Sequence, residues 1–165
     1  MDKLTIRRYE PGDEEPLSML IRRTIREVNS KDYTEAESVG ILEQYHPAYV
    51  ASIAAAGSLY VARIDGVYAG CGGIMPHEDN PGEGYVLAVF TNPDYLGHGI
   101  GTAIMAAIEA DPIFQKSFRV ELHASLTAHG FYRKLGYAYS AGVAMAQNGH
   151  YDNGCYQMEK RPASP

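Results

Sequence analysis

The sequence predicts a mixed α/β (α+β) domain, one central mixed β-sheet flanked by helices, and three observations carry that prediction. Segments of period two and of helical period follow one another along the whole chain in the order β-α-α-β-β-β-α-β-α-β-β. An Asp65-Gly66 pair separates two β-type runs, the strongest short hairpin signal. "YVLAVFT", Tyr85 to Thr91, is nearly all apolar, as expected of a central strand covered on both faces.

The elements follow in order. "LTIRRYE" (Leu4 to Glu10) alternates as a strand, and Pro11-Gly12 turns the chain. Asp13 is placed to cap a helix whose first turn holds Glu14, Glu15 and Pro16, with Leu17, Leu20, Ile21, Ile25 and Val28 as its apolar face. A second helical region spans Thr34 to Tyr45, and Pro47 starts a separate piece to about Ala56. Strands at Ser58–Ile64 and Val67–Ile74 precede a loop from Met75 to Gly84 and the central strand. A glycine-rich turn and a helix ending near Asp111-Pro112 come next. "FRVELHA" reads as a strand, and "LTAHGFYRKLGY" as a short helix stopped by Gly136. Two last strands, Tyr137–Met145 and Cys155–Lys160, flank a turn containing Asn148-Gly149.

No linker or repeat interrupts the 165 residues, so residues 1–160 read as one domain and residues 161–165 as a frayed tail. The formal charge of −6, without clustered Lys and Arg, argues against nucleic-acid binding. No run of about 18 apolar residues and no signal peptide is present, so a cytoplasmic protein without a membrane span is expected. The two cysteines, Cys71 and Cys155, are far apart and read as reduced thiols.

The segment "TNPDYLGHGIGTAIM", Thr91 to Met105, sets three glycines at the head of an apolar helix. Each glycine in a helix costs roughly 1 kcal/mol relative to alanine. A strand, a turn and glycines at a helix N-terminus form a seat for phosphate: the first-turn N–H groups are unpaired, the dipole is positive there, and no Cβ blocks the approach. A Walker loop is excluded because no Lys precedes Thr102, and a dinucleotide fingerprint because Thr102 stands where it needs glycine.

The same segment resembles the acyl-CoA loop of the GCN5-related N-acetyltransferases (GNAT), whose pattern is Gln/Arg-x-x-Gly-x-Gly/Ala. Gly99 and Gly101 match its glycines, Gly97 fits a frequent extra one, and Asn92-Pro93-Asp94-Tyr95 resembles the turn before it. Downstream, "ASLTAHGFYRKLGY" resembles the family's Ala-x-x-Phe-Tyr-x-Lys-x-Gly-Phe segment. Leu96 stands where the family usually has Gln or Arg, and Ser125 where Asn is frequent, so two side-chain contacts are altered.

The resemblance implies a GNAT fold with acetyl-CoA, as cosubstrate, in a cleft between two splayed strands, Tyr85–Thr91 and Phe118–Ala124. Val89, Phe90 and Thr91 are then expected to pair with the pantetheine arm. Leu96, Gly97, His98, Gly99, Ile100, Gly101 and Thr102 are expected to cradle the pyrophosphate, with Ser125 nearby. Tyr132 matches the family's tyrosine that protonates the leaving thiolate. An attacking lysine-like amine, with a pKa near 10.4, is neutral in only about one molecule in two thousand at pH 7, so a base is needed. Glu83, at the entry of the central strand, is the first candidate, with His123 and Glu78 as competitors.

Other constellations are weaker. His77, Glu78 and Asp79 are adjacent and no second cluster accompanies them, so no metal is expected. Cys71, in "AGCGG", reads as a buried thiol rather than a nucleophile. Gly130 marks either close cofactor passage or packing. Asp32, Tyr33, Glu35, Tyr45, Glu78 and Tyr151 are candidates for an acidic, aromatic amine site. Two functions remain: N-acetyl transfer to an amine acceptor, or a non-catalytic acyl-CoA-binding or protein-interaction domain. A homodimer is left open.

Overall fold

The computed structural model describes residues 3–140 and 155–162. Its strands are β1 (Leu4–Arg8), β2 (Ser58–Ile64), β3 (Val67–Pro76), β4 (Glu83–Thr91), β5 (Arg119–Ala124), β6 (Ala138–Tyr139) and β7 (Tyr156–Lys160). They form one sheet in the order β1-β2-β3-β4-β5-β7-β6. Neighbours are antiparallel except β4 and β5, which run parallel. The helices are α1 (Glu14–Glu27), α2 (Glu35–Gln44), α3 (Pro47–Ala56), α4 (Ile100–Glu109), α5 (Pro112–Lys116) and α6 (His129–Lys134). The expected Asn148-Gly149 turn, Tyr151 and the strand beyond Ser140 lie outside the described residues.

Each face of the sheet carries its own core. On one face Leu17, Leu20, Ile21 and Ile25 of α1 pack with Val50 and Ile53 of α3 against Leu59, Val61 and Cys71. On the other, Ile100, Ile104, Met105 and Ile108 of α4 pack with Tyr132 against Ala62, Ala69, Val86 and Leu122. Val61 on one face and Ala62 on the other, both buried, show the period of two that the strand pattern demands.

The glycines of β3 set how near α4 comes. A Cβ on Gly72 would lie 2.5 Å from Ile104 Cγ2, and one on Gly70 2.9 Å from Ile100 Cγ2. The stretch "AGCGG" therefore trades side chains for a close helix–sheet contact. That contact carries the N-terminus of α4 to the end of β4.

Several local expectations are modified. Asp13 makes no side-chain cap to α1. It accepts instead from both Arg7 guanidinium nitrogens at 2.7 and 3.0 Å, from the Tyr68 hydroxyl at 2.7 Å and from the Glu10 N–H at 2.8 Å. A buried carboxylate beside a guanidinium gains more from that pair than from one helix N–H. The helix ends at Glu109, near the expected Asp111-Pro112, but a separate, unexpected α5 follows, because Asp111 accepts from the Ile113 N–H and caps it. The segment after Ala124 is a Ser125–Ala128 turn before α6, with Ala128 N–H donating to Ser125 Oγ at 3.2 Å.

Candidate active site

β4 and β5 pair only from Glu83–Arg119 to Val86–Leu122, although both strands run on to Thr91 and Ala124. The reason lies on the other edge of β4, where pairing with β3 slips a register between Cys71 and Gly73. Ala88 takes up the extra residue at φ +55. A non-glycine residue there costs roughly 1–2 kcal/mol, so neighbouring contacts must hold it. The Cys71 thiol donates to the Ala88 carbonyl at 3.3 Å, and the Thr24 hydroxyl to the Thr91 carbonyl at 3.1 Å. Burial pushes the Cys71 thiol up to about 12, so it stays protonated. β4 thus bends away from β5, and a two-lobed cleft opens between them.

The first lobe, about 380 Å3, lies between the N-terminus of α4, the end of β4 and the start of α6. Gly97 and Gly99 stand at φ +80 and +75, and a Cβ on either would face open space. Their role is therefore backbone conformation, which turns the chain into α4 with Gly99 as its N-cap. Gly101 is different: a Cβ there would meet the Phe131 ring at 3.2 Å. The preceding turn is clamped to α1, since Arg23 binds both Asp94 oxygens at 2.8 and 3.0 Å and Asn92 Oδ1 accepts from the Asp94 N–H. An anion in this lobe meets the open first-turn N–H groups of α4 and the positive end of its dipole.

The second lobe, about 280 Å3, lies between α1–α3 and the diverging ends of β4 and β5. Tyr33, Tyr45, Tyr49, Tyr85 and His123 line it. The two lobes share Asn29, Val89, Phe90, Ala128 and Tyr132. Burial drives the Tyr132 hydroxyl well above the ordinary phenol range, so it remains a donor at neutral pH. Behind the lobe, Glu121 Oε2 lies 3.2 Å from His77 Nε2 and 3.3 Å from His123 Nε2, and Glu121 Oε1 accepts from Arg119 and Gln157. Burial alone would raise the Glu121 carboxyl; bonds from His77 and Arg119 outweigh it and hold it below the ordinary range. Burial lowers the His123 pKa despite Glu121, so the ring is neutral at pH 7.

Most of the residues expected to hold the cofactor come together. Val89, Phe90, Thr91, Leu96, Gly97, Gly99, Ile100, Gly101 and Thr102 all line the first lobe, and Ser125 lines the second. His98 does not join them; its Nδ1 lies 3.1 Å from the Leu96 carbonyl. Glu83 lines neither lobe: its carboxylate accepts from Arg119 at 2.9 Å. Asp32, expected at an acidic amine site, has both oxygens on the Thr127 hydroxyl at 2.6 and 2.7 Å and ties the 3-10 turn Ser30–Asp32 to the turn before α6. Glu35 and Glu78 are exposed. A Cβ on Gly130 would meet nothing within 4 Å, so packing does not explain that glycine. Among the described residues no group of His, Cys, Asp and Glu is arranged to hold a metal ion.

A larger but shallow depression of about 750 Å3 lies on the outer face of α1, lined by Arg22, Arg26 and Tyr68 among others. It contains neither the α4 glycines nor the end of β5, and the splayed strands do not open into it.

The model of the acetyltransferase (GNAT) family matches residues 22–137, which include both lobes' strands, the glycine turn and α6. The chain belongs to the GNAT family. It is 23% identical over 137 residues to the uncharacterized N-acetyltransferase YafP of Escherichia coli K12, covering 83% of each chain. Solved structures share the fold. PaiA N-acetyltransferase from Thermoplasma acidophilum, in complex with coenzyme A, superposes with a TM-score of 0.77 at 18% identity, covering 96% of this chain and 99% of that one. A GCN5-related N-acetyltransferase from Rhodopseudomonas palustris gives a TM-score of 0.76 at 21% identity, covering 98% and 97%.

Within this GNAT fold the sequence left two features unmarked. The bulge falls on Ala88, a residue type with no left-handed preference, so no local signal announces it. The Glu121 hub joins residues from three segments, and only the alternation of β5, which puts Glu121 and His123 on one face, hints at it.

Proposed function

We propose that this protein moves an acetyl group from acetyl-CoA to a primary amine by direct attack in a ternary complex. The observation that carries the reading is that the glycine lobe and the tyrosine lobe meet at Val89, Phe90 and Tyr132. Coenzyme A in the Thermoplasma acidophilum neighbour supports the choice of donor. Acetyl-CoA supplies the activated thioester.

Backbone N–H groups at the start of α4 hold the pyrophosphate, and the edge of β4 freed by the bulge, Val89 to Thr91, pairs with the pantetheine arm. An N–H near Val89 polarises the thioester carbonyl. His123 takes the proton of the attacking amine in place of Glu83, because it lines the acceptor lobe and is neutral at pH 7, whereas Glu83 is occupied by Arg119. Tyr132 hydrogen-bonds to the departing sulfur. A thiol's ordinary pKa is about 8.5, below that of a buried phenol, so Tyr132 stabilises the thiolate as a donor and keeps most of its own proton.

Tyr132→Phe tests the reading. Amine-dependent release of CoA is expected to fall about 100-fold in kcat, with acetyl-CoA affinity retained. Unchanged turnover removes Tyr132 from the chemistry. Tight acetyl-CoA binding by the unaltered protein without turnover on any amine identifies a non-catalytic acyl-CoA-binding module instead.

A further inference from the structure

The acceptor lobe is walled by tyrosines from four separate segments. Tyr33 follows the 3-10 turn, Tyr45 ends α2, Tyr49 stands in α3 and Tyr85 in β4. Tyr45 is edge-on to Tyr49 and to Phe90 with centroids 5.3 Å apart in each case, and Tyr85 is edge-on to His123 at 5.5 Å. Ile25 and Ile41 add apolar surface, and Asn29, Gln44 and Ser125 add uncharged polar groups. Among the described residues that line it, none is Asp, Glu, Lys or Arg. The carboxylates near the lobe are otherwise engaged: Asp32 accepts from the Thr127 hydroxyl, Glu37, which acts on Tyr33 and Cys155, accepts from the Thr34 N–H, and Glu121 belongs to its cluster behind His123.

We infer that the acceptor is an arylalkylamine, a single primary amine carried on an apolar, ring-bearing body, and this rests on the acetyl-transfer reading above. A polyamine brings two or more cations into the lobe, each of which loses hydration and needs a carboxylate in exchange. A free amino acid brings a carboxylate that calls for Arg or Lys. The described part of the wall, which holds no charged side chain, answers neither. A ring, by contrast, finds edge-to-face partners, and its ammonium finds aromatic faces. The volume of about 280 Å3 is at the lower edge of small-molecule sites and suits one ring. The wall, without an acidic side chain among its described residues, also assists the chemistry. Desolvation lowers the pKa of an entering amine and enriches the neutral nucleophile, whereas an acidic pocket would raise it.

The test compares 2-phenylethylamine, spermidine, lysine and glutamate as acceptors for the full chain with acetyl-CoA, following CoA release. The expected result is a kcat/KM for 2-phenylethylamine at least about 10-fold above each of the others. Best turnover with spermidine or an amino acid overturns the inference and leaves acetyl transfer standing. If no amine releases CoA, acetyl transfer falls, and the lobe is read by binding alone. Five of the chain's 13 tyrosines line the lobe and there is no tryptophan, so tyrosine fluorescence of the CoA-saturated protein responds to occupancy of the lobe. Saturable quenching by 2-phenylethylamine but not spermidine upholds the aromatic site; the reverse, or neither, overturns it. Gln44→Glu adds a carboxylate to the wall and is expected to shift the preference toward spermidine by about 5-fold. An unchanged ratio overturns the placement of the acceptor in this lobe.

Discussion

Asp13 shows how much one side chain can organise. It is 3% exposed, and its partners come from β1, β3 and the turn before α1. Burial works against the charge, but hydrogen bonds from Arg7 and Tyr68 win and bring the carboxyl down to about 2 from an ordinary 3.8. Because the folded pKa is the lower one, the unfolded chain binds the proton more readily. The stability that Asp13 contributes is therefore complete above about pH 4 and is lost as pH falls through about 2. Asp13→Asn keeps the shape and leaves the Arg7 guanidinium without its counter-charge. Urea titration at pH 7 is expected to show a loss of about 3 kcal/mol, and the decline between pH 4 and pH 2 is expected to become shallower. An equally steep acid decline in the variant would show that other carboxylates govern it.

At the scale of elements, the packing of α4 on β3 sets the position of the glycine turn at the head of α4. Two glycines test this with opposite signs. Gly72→Ala places a Cβ 2.5 Å from Ile104 Cγ2, a methyl on a branched side chain that has little room to turn. It is expected to cost about 1–3 kcal/mol and to weaken acetyl-CoA binding by displacing α4. Gly40→Ala, inside α2 with nothing within 4 Å of the new Cβ, is expected to stabilise by about 0.5–1 kcal/mol. Denaturation curves for both variants, with calorimetric titration of acetyl-CoA into the first, check the pair. A neutral Gly72→Ala would mean that α4 can retreat without cost to the cleft.

At the scale of the whole molecule, the cleft spans elements from both halves of the chain, so a ligand in it ties α1, β4, α4 and α6 together. Acetyl-CoA at 100 times its Kd adds about 2.7 kcal/mol, a rise in Tm of about 5–10 °C for a chain of this size. CoA is expected to reproduce the shift, while NAD and ATP are not. No shift at millimolar acetyl-CoA would mean that Leu96, standing where the related pattern has Gln or Arg, marks a lost site.

Local chemistry along the chain was enough for most of the order of elements, the Asp65-Gly66 hairpin, the glycine turn that leads into α4, and the family. Each is a short-range property: a period of two or 3.6, a positive φ, a motif of contiguous residues. Glu83 and Asp32 show where that reasoning stops. Both read as available carboxylates, and both are taken by partners 36 and 95 residues away, Arg119 and Thr127. The Ala88 bulge, the Glu121 cluster and the tyrosine wall likewise exist only once distant segments meet. A backbone strain, a carboxylate held by hydrogen bonds and an aromatic wall are each set by neighbours in space, and adjacency along the chain carries no record of them.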